Sequence, residues 1–182
     1  MNGAVRPLGL LLGLVFCCAC SRQPRPTHED EVLLLRLCEA RNLHRRADLH
    51  LLNGNQAAAI EEVQKVLTIQ FPPGNVVGEE TLLDAHARLS MLFLRQGGEQ
   101  AEARALSQIE IGRKLVTRDT FFAANLETVA AEIHEAKAAR LVDPAAKQDA
   151  RKQALAALER AIGMDRKLVR TFWSSSDQPE VP

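Results

Sequence analysis

Ala47 to Pro73 reads ADLHLLNGNQAAAIEEVQKVLTIQFPP, and its punctuation decides the fold class. Ahead of Asn53-Gly54-Asn55, the residues Val32, Leu33, Leu37, Ala40, Leu43, Ala47 and Leu51 recur at helical spacing. That period predicts a helix from about Glu29 to Leu52. Asn53-Gly54-Asn55 breaks it, as this residue type does in tight turns. Beyond the break, Ala59, Ile60, Val63, Val66 and Leu67 share one face and predict a second helix from about Gln56 to Gln70. Phe71-Pro72-Pro73-Gly74 stops the second helix, because proline lacks a backbone donor and disfavours helix at the residue before it. The stretch is a hairpin of two helices.

The pattern continues outward. A third helix is predicted from about Glu79 to Gln96, with Leu82, Leu83, Ala85, Leu89, Leu92 and Phe93 apolar and Gly97-Gly98 at its end. A fourth spans about Glu99 to Val116, on Ala103, Leu106, Ile109 and Leu115, with Gly112 lowering its propensity. Asp119 or Thr120 caps a fifth that runs to about Leu141 on Phe122, Leu126, Val129, Ile133 and Ala136. Asp143-Pro144 has the residue types of a cap and a first helical position. The sixth helix then carries Ala154, Leu155, Leu158, Ala161 and Ile162. Ser174-Ser175-Ser176 opens a polar tail, 174–182, expected to be disordered. Val, Ile and Thr form no alternating run, so no strand is expected.

Hydrophobic residues make up 46% of the 182, enough to bury a core. Lys plus Arg and Asp plus Glu balance at 23 each. That neutrality argues against nucleic acid, whose binding wants a basic stripe.

The amino-terminal end reads as an export signal over residues 1–19. A basic residue, Arg6, precedes the apolar stretch Leu8 to Ala19. Twelve residues span about 18 Å as a helix, short of a bilayer core of about 30 Å. Phe16-Cys17-Cys18-Ala19-Cys20-Ser21 resembles a bacterial lipobox, in which a small residue precedes a lipidated Cys. Ala19 makes Cys20 the best fit, and Ser21 resembles outer-membrane sorting. Residues 20–28 contain Pro24 and Pro26 and read as a tether. In the exported chain only Cys20 and Cys38 would remain, so no disulfide framework is expected. Cys38 reads as a small core residue.

Ala47 to Pro72 also resembles a tetratricopeptide repeat. Ala47 matches the small residue of the first helix, Gly54 the turn glycine, Ala59 the small residue opening the second helix and Pro72 the terminal proline. Leu89, Ser90, Phe93, Gly97 and Ala103 repeat the scheme. Ala154 to Lys167, ALAALERAIGMDRK, resembles a further second helix, with Ala154, Leu158 and Ala161; Arg166 stands where the family has proline. The family period is 34 residues, whereas Ala59 to Ala103 is 44 and Ala103 to Ala154 is 51. The resemblance implies an all-α domain over 29–173, of antiparallel hairpins stacked as a short solenoid. An ordinary antiparallel bundle is the alternative. The resemblance further implies a partner-binding concave side carrying Arg41, His44, Asp48, Asp84, Asn125 and Glu132.

Catalytic chemistry is hard to find. No Gly-rich phosphate cradle occurs. His134-Glu135-Ala136-Lys137-Ala138 begins like a zinc-protease helix but lacks its second His. His44 and His50, six apart, project about 120° from one another, which does not suit a metal pair. No metal, cofactor or catalytic residue is expected. The expectation is a lipid-anchored periplasmic scaffold of the bacterial outer membrane that binds envelope proteins. A helical bundle holding a metal or small ligand is the alternative.

Overall fold

The computed structural model describes residues 27–176. The leader, Cys20, most of the tether and segment 177–182 lie outside the described residues. Those described form six helices and no strand: α1 His28–Leu52, α2 Gln56–Val66, α3 Val76–Leu94, α4 Glu99–Leu115, α5 Phe121–Arg140 and α6 Pro144–Ser176. The described residues are thus all-α.

Local chemistry sets the ends. Thr27 and Asp30 form a capping box: Asp30 N–H donates to Thr27 Oγ1 at 3.2 Å and Thr27 N–H to Asp30 Oδ2 at 2.8 Å. These bonds hold the Asp30 carboxyl below its ordinary value. Thr120 caps α5 by accepting from Ala123 N–H at 3.0 Å. Asp143 accepts from Ala146 N–H at 2.8 Å at the start of α6.

Three boundaries differ from expectation. α2 ends at Val66 rather than Gln70. Leu67, Thr68 and Ile69 instead make tighter three-residue backbone bonds, each 3.1 Å. This turn buries Ile69 and lays Phe71 against Gly78, where an added Cβ would come within 2.6 Å of Phe71 Cβ. α3 begins at Val76, before Glu79, because Asn75 Oδ1 accepts from Gly78 N–H at 2.9 Å. α6 runs through Ser176, so Ser174 to Ser176 belong to the helix and not to a polar tail. The Ser174 hydroxyl donates to Thr171 O at 3.0 Å, finding its partner along the helix.

The helices pack in chain order. α1 lies on α2, and both touch α3. α3 pairs with α4, and both touch α5. α5 lies along α6. α1 meets neither α5 nor α6, and α2 does not meet α4. Position in this series explains burial. α1, at one end, fully buries only Ala40 and Ala47. α5, touching three helices, buries residues around most of its girth, among them Ala124, Leu126, Val129, Ala131 and Ile133.

Small residues stand where helices approach closely. Ala47, Ala59 and Ser90 have no exposed surface. The Ser90 hydroxyl donates toward His86 O at 2.8 Å and Ala105 O at 3.1 Å, tying α3 to α4. A Cβ on Gly112 would stand 2.8 Å from Leu126 Cδ2. Two apolar stripes need correcting. In α4, Ala103 is exposed, and Ala101 and Ala105 are buried in its place. In α6, Leu155 and Ile162 are exposed, and the buried line is Ala150, Ala154, Ala157 and Ala161. α6 meets an alanine-rich α5, and small faces on both let the backbones close. Cys38 is half-buried on α1.

Candidate functional site: a three-helix groove

Because α1 and α5 both touch α3 but not each other, α3 forms a floor between two walls. Two recesses of about 390 and 330 Å³ lie in this trough and share Asp84 and Arg88 of α3. The first adds Asp48, Leu51, Met91, Arg95, Asn125 and Val129. The second adds Arg41, His44, Val77, Glu80 and Phe122. Five of the six residues expected on the concave side therefore line one or other recess: Arg41, His44, Asp48, Asp84 and Asn125. Glu132 lines neither and is exposed on α5. It lies seven residues beyond Asn125, about 10 Å further along the helix.

Arg88, not anticipated from sequence, sits where the recesses meet. Its guanidinium pairs with Asp48 of α1, and the same Nη2 lies 3.5 Å from His44 O. It thus joins one wall to the floor. The available signal was its four-residue spacing from Asp84, which by itself reads as an ordinary helix-surface pair.

His44 Nε2 lies 3.8 Å from Asp84 Oδ2, beyond hydrogen-bond reach. Both His44 ring nitrogens are buried without a hydrogen-bond partner. Burial, then the charge of Arg88, holds this imidazole below the ordinary 6.5, against the opposing pull of Asp84 and Asp48. The ring is neutral near pH 7. His86 and His134, on α3 and α5, are also held low, chiefly by burial. His86 Nδ1 lies 2.9 Å from Gln108 Oε1, whereas His134 Nδ1 has no partner.

Buried carboxylates outside the groove clip neighbouring helices. Glu62 of α2 takes Arg46 of α1 at 2.9 Å. Glu102 of α4 takes Arg140 of α5 through two bonds of 2.9 and 2.7 Å. Glu127 of α5 takes Arg113 of α4 and Arg160 of α6. These pairs hold the walls in position.

The groove mixes charge of both signs with apolar surface. It can accept and donate hydrogen bonds along a bound segment while Leu51, Met91, Val129 and Phe122 take apolar groups. Among the described residues no group of three His, Cys, Asp or Glu is placed to hold a metal ion, and no helix is long and apolar enough to cross a membrane. The chain matches no protein-family model, no curated protein and no solved structure.

Proposed function

We propose that this chain is a protein-interaction scaffold of the bacterial envelope. Its hairpins stack as a short tetratricopeptide-like solenoid, and the trough over α3 receives a segment of a partner protein. The observation that carries this reading is the sequential packing, in which α3 is the floor between α1 and α5. A closed bundle would bring its first and last helices together around one axis, whereas α1 and α6 do not meet.

Export and attachment through an acylated Cys20 complete the proposal. Several acyl chains would each add about 0.8 kcal/mol per buried methylene, and together anchor the protein stably. The anchor would hold the groove on the periplasmic face of the outer membrane.

The test is crosslinked recovery of bound proteins from native membranes, comparing wild type with the double variant Arg41→Glu/Asp48→Lys. Both positions are exposed wall residues. A partner held by wild type and lost by the double variant, with helix content unchanged, supports the groove. Equal recovery overturns it. Fatty-acid labelling separates the anchor from the groove: incorporation that persists in Cys20→Ala excludes Cys20 as the attachment site.

A further inference from the structure

One end of the helix stack gathers exposed apolar side chains. It is the end where α1, α3 and α5 start and α6 finishes. There the Thr117 hydroxyl, in the turn after α4, donates to Glu79 Oε2 of α3 at 3.1 Å, and Lys167 of α6 reaches Asp119 at 2.9 Å. His44 and Asp48 of α1 stand opposite Asp84 and Arg88 of α3. The same offset puts Arg36 level with Val76, so residues 28–35 of α1 run past the start of α3. Residues 168–176 of α6 likewise run past the turn that precedes α5. Each overhang is about 12–14 Å long. The α1 overhang exposes Leu34 and Leu35, and the α6 overhang exposes Val169, Phe172 and Trp173. At their bases Val76, Val77 and Phe121 are exposed as well. Among the described residues, eight of the fourteen exposed large hydrophobics thus stand at this end, a concentration that marks an interaction surface.

We infer that this end rests on a lipid bilayer, with Phe172 and Trp173 in the headgroup boundary. The course of the chain chooses the occupant. Residues 1–26 join the structure at this end, through Thr27 and the start of α1. Cys20 is seven residues before Thr27, at most about 25 Å away. Whatever holds Cys20 or the apolar stretch Leu8 to Ala19 in lipid therefore brings this end, and not the opposite one, to the surface. The side chains suit that place, because Trp and Phe settle at the boundary between headgroups and acyl chains. The charges divide it in two. On the α4–α6 side the exposed cations are Lys114, Arg118, Arg166, Lys167 and Arg170, against exposed Asp165 and the Asp119 that Lys167 already holds. The first turn of α1 carries Glu29, Asp30 and Glu31. On an anionic bilayer the aromatic overhang of α6 is thus the deeper of the two, and the α1 overhang stays in the headgroup layer. The choice of a bilayer rests on the export reading above and is independent of the groove.

Trp173 is the single Trp of the chain, so its fluorescence reads this end alone. The full chain is reconstituted into vesicles of phosphatidylethanolamine and phosphatidylglycerol, with flotation scored in parallel. Flotation reads attachment by any route, whereas quenching of Trp173 by brominated lipids reads docking of this end. Wild type is expected to float and to be quenched, more by bromines near the headgroup than by bromines at the chain ends, because burial reaches only about 5–10 Å. Phe121→Ser/Phe172→Ser, with helix content unchanged, is expected to float and to lose quenching. Arg166→Glu/Arg170→Glu is expected to lose it when phosphatidylglycerol is present. Flotation with Trp173 unquenched leaves the attachment standing and overturns the inference. A chain that does not float, or quenching unchanged in both variants, also overturns it. A blue-shifted Trp173 that brominated lipid does not quench assigns the patch to protein and overturns it likewise.

Discussion

Arg113 of α4 lies fork to fork on Glu127 of α5: Nε is 2.7 Å from Oε1 and Nη2 is 2.7 Å from Oε2. Arg160 of α6 reaches the same Oε2 at 2.9 Å through Nε. One buried carboxylate thus joins three helices. Burial alone would raise the Glu127 carboxyl, but the hydrogen bonds and charges of the two arginines together carry it below its ordinary 4.5. Glu127→Gln should destabilise the fold by about 2 kcal/mol, less than the 3–5 kcal/mol of a fully buried pair, because both guanidiniums retain a path to water. Urea unfolding checks this. Since the folded value is depressed, this stability is present above pH 4.5 and is lost as pH falls through the lower folded value. An acid-unfolding midpoint equal to that of wild type would contradict the assignment.

Glycines 112 and 163 should respond oppositely to alanine. At Gly112 the new Cβ would meet Leu126 Cδ2 at 2.8 Å and His86 Cβ at 3.3 Å, and Leu126, fully buried, would have to shift within the core. Overpacking of about 1–3 kcal/mol outweighs a helix-propensity gain of about 1 kcal/mol, so Gly112→Ala should lower the thermal midpoint. At Gly163 nothing lies within 4 Å. Gly163→Ala should therefore stabilise, by about 0.5–1 kcal/mol. Calorimetry on both variants reads the signs directly.

The buried histidines predict a second, milder pH dependence. His44, His86 and His134 are all held below 6.5, so the unfolded chain takes up their protons first as pH falls. Stability contributed by the neutral rings is complete above 6.5 and declines as pH drops toward the folded values. The urea midpoint should fall between pH 7.5 and 5.5. The decline should be smaller in a His44→Gln/His86→Gln variant, and an identical slope would reject these two rings as its source.

Ser90 should tolerate loss better than gain of volume. Ser90→Ala forfeits a hydroxyl that donates toward His86 O and Ala105 O, at a cost of about 1 kcal/mol. Ser90→Leu would force α3 from α4 and cost about 3 kcal/mol. Comparing their chemical-denaturation midpoints tests whether close helix approach governs this position.

Much of the fold is readable along the chain because its signals are local. Helical period, Thr120 and Asp143 as caps, and glycine-rich turns each act within a few residues, and the structure contains all six helices they imply. The end of α2 was less legible. Thr68 and Ile69 continue the helical alphabet, and only the pull of Ile69 into the core and Phe71 onto Gly78 ends the helix sooner. Leu155 and Ile162 misled for a related reason. Their spacing suits a buried stripe, but the alanines beside them fit the close approach of α5 better.

Helix content was thus a property of the sequence itself, since backbone hydrogen bonds, caps and breakers close over three or four residues. The trough was not. It exists because α1 and α5 both rest on α3 without touching, and that brings Asp48, Arg88 and Asn125, far apart in the chain, to one wall-lined surface. Which faces close on each other depends on side-chain volumes from distant segments meeting at once, a condition that no single segment carries.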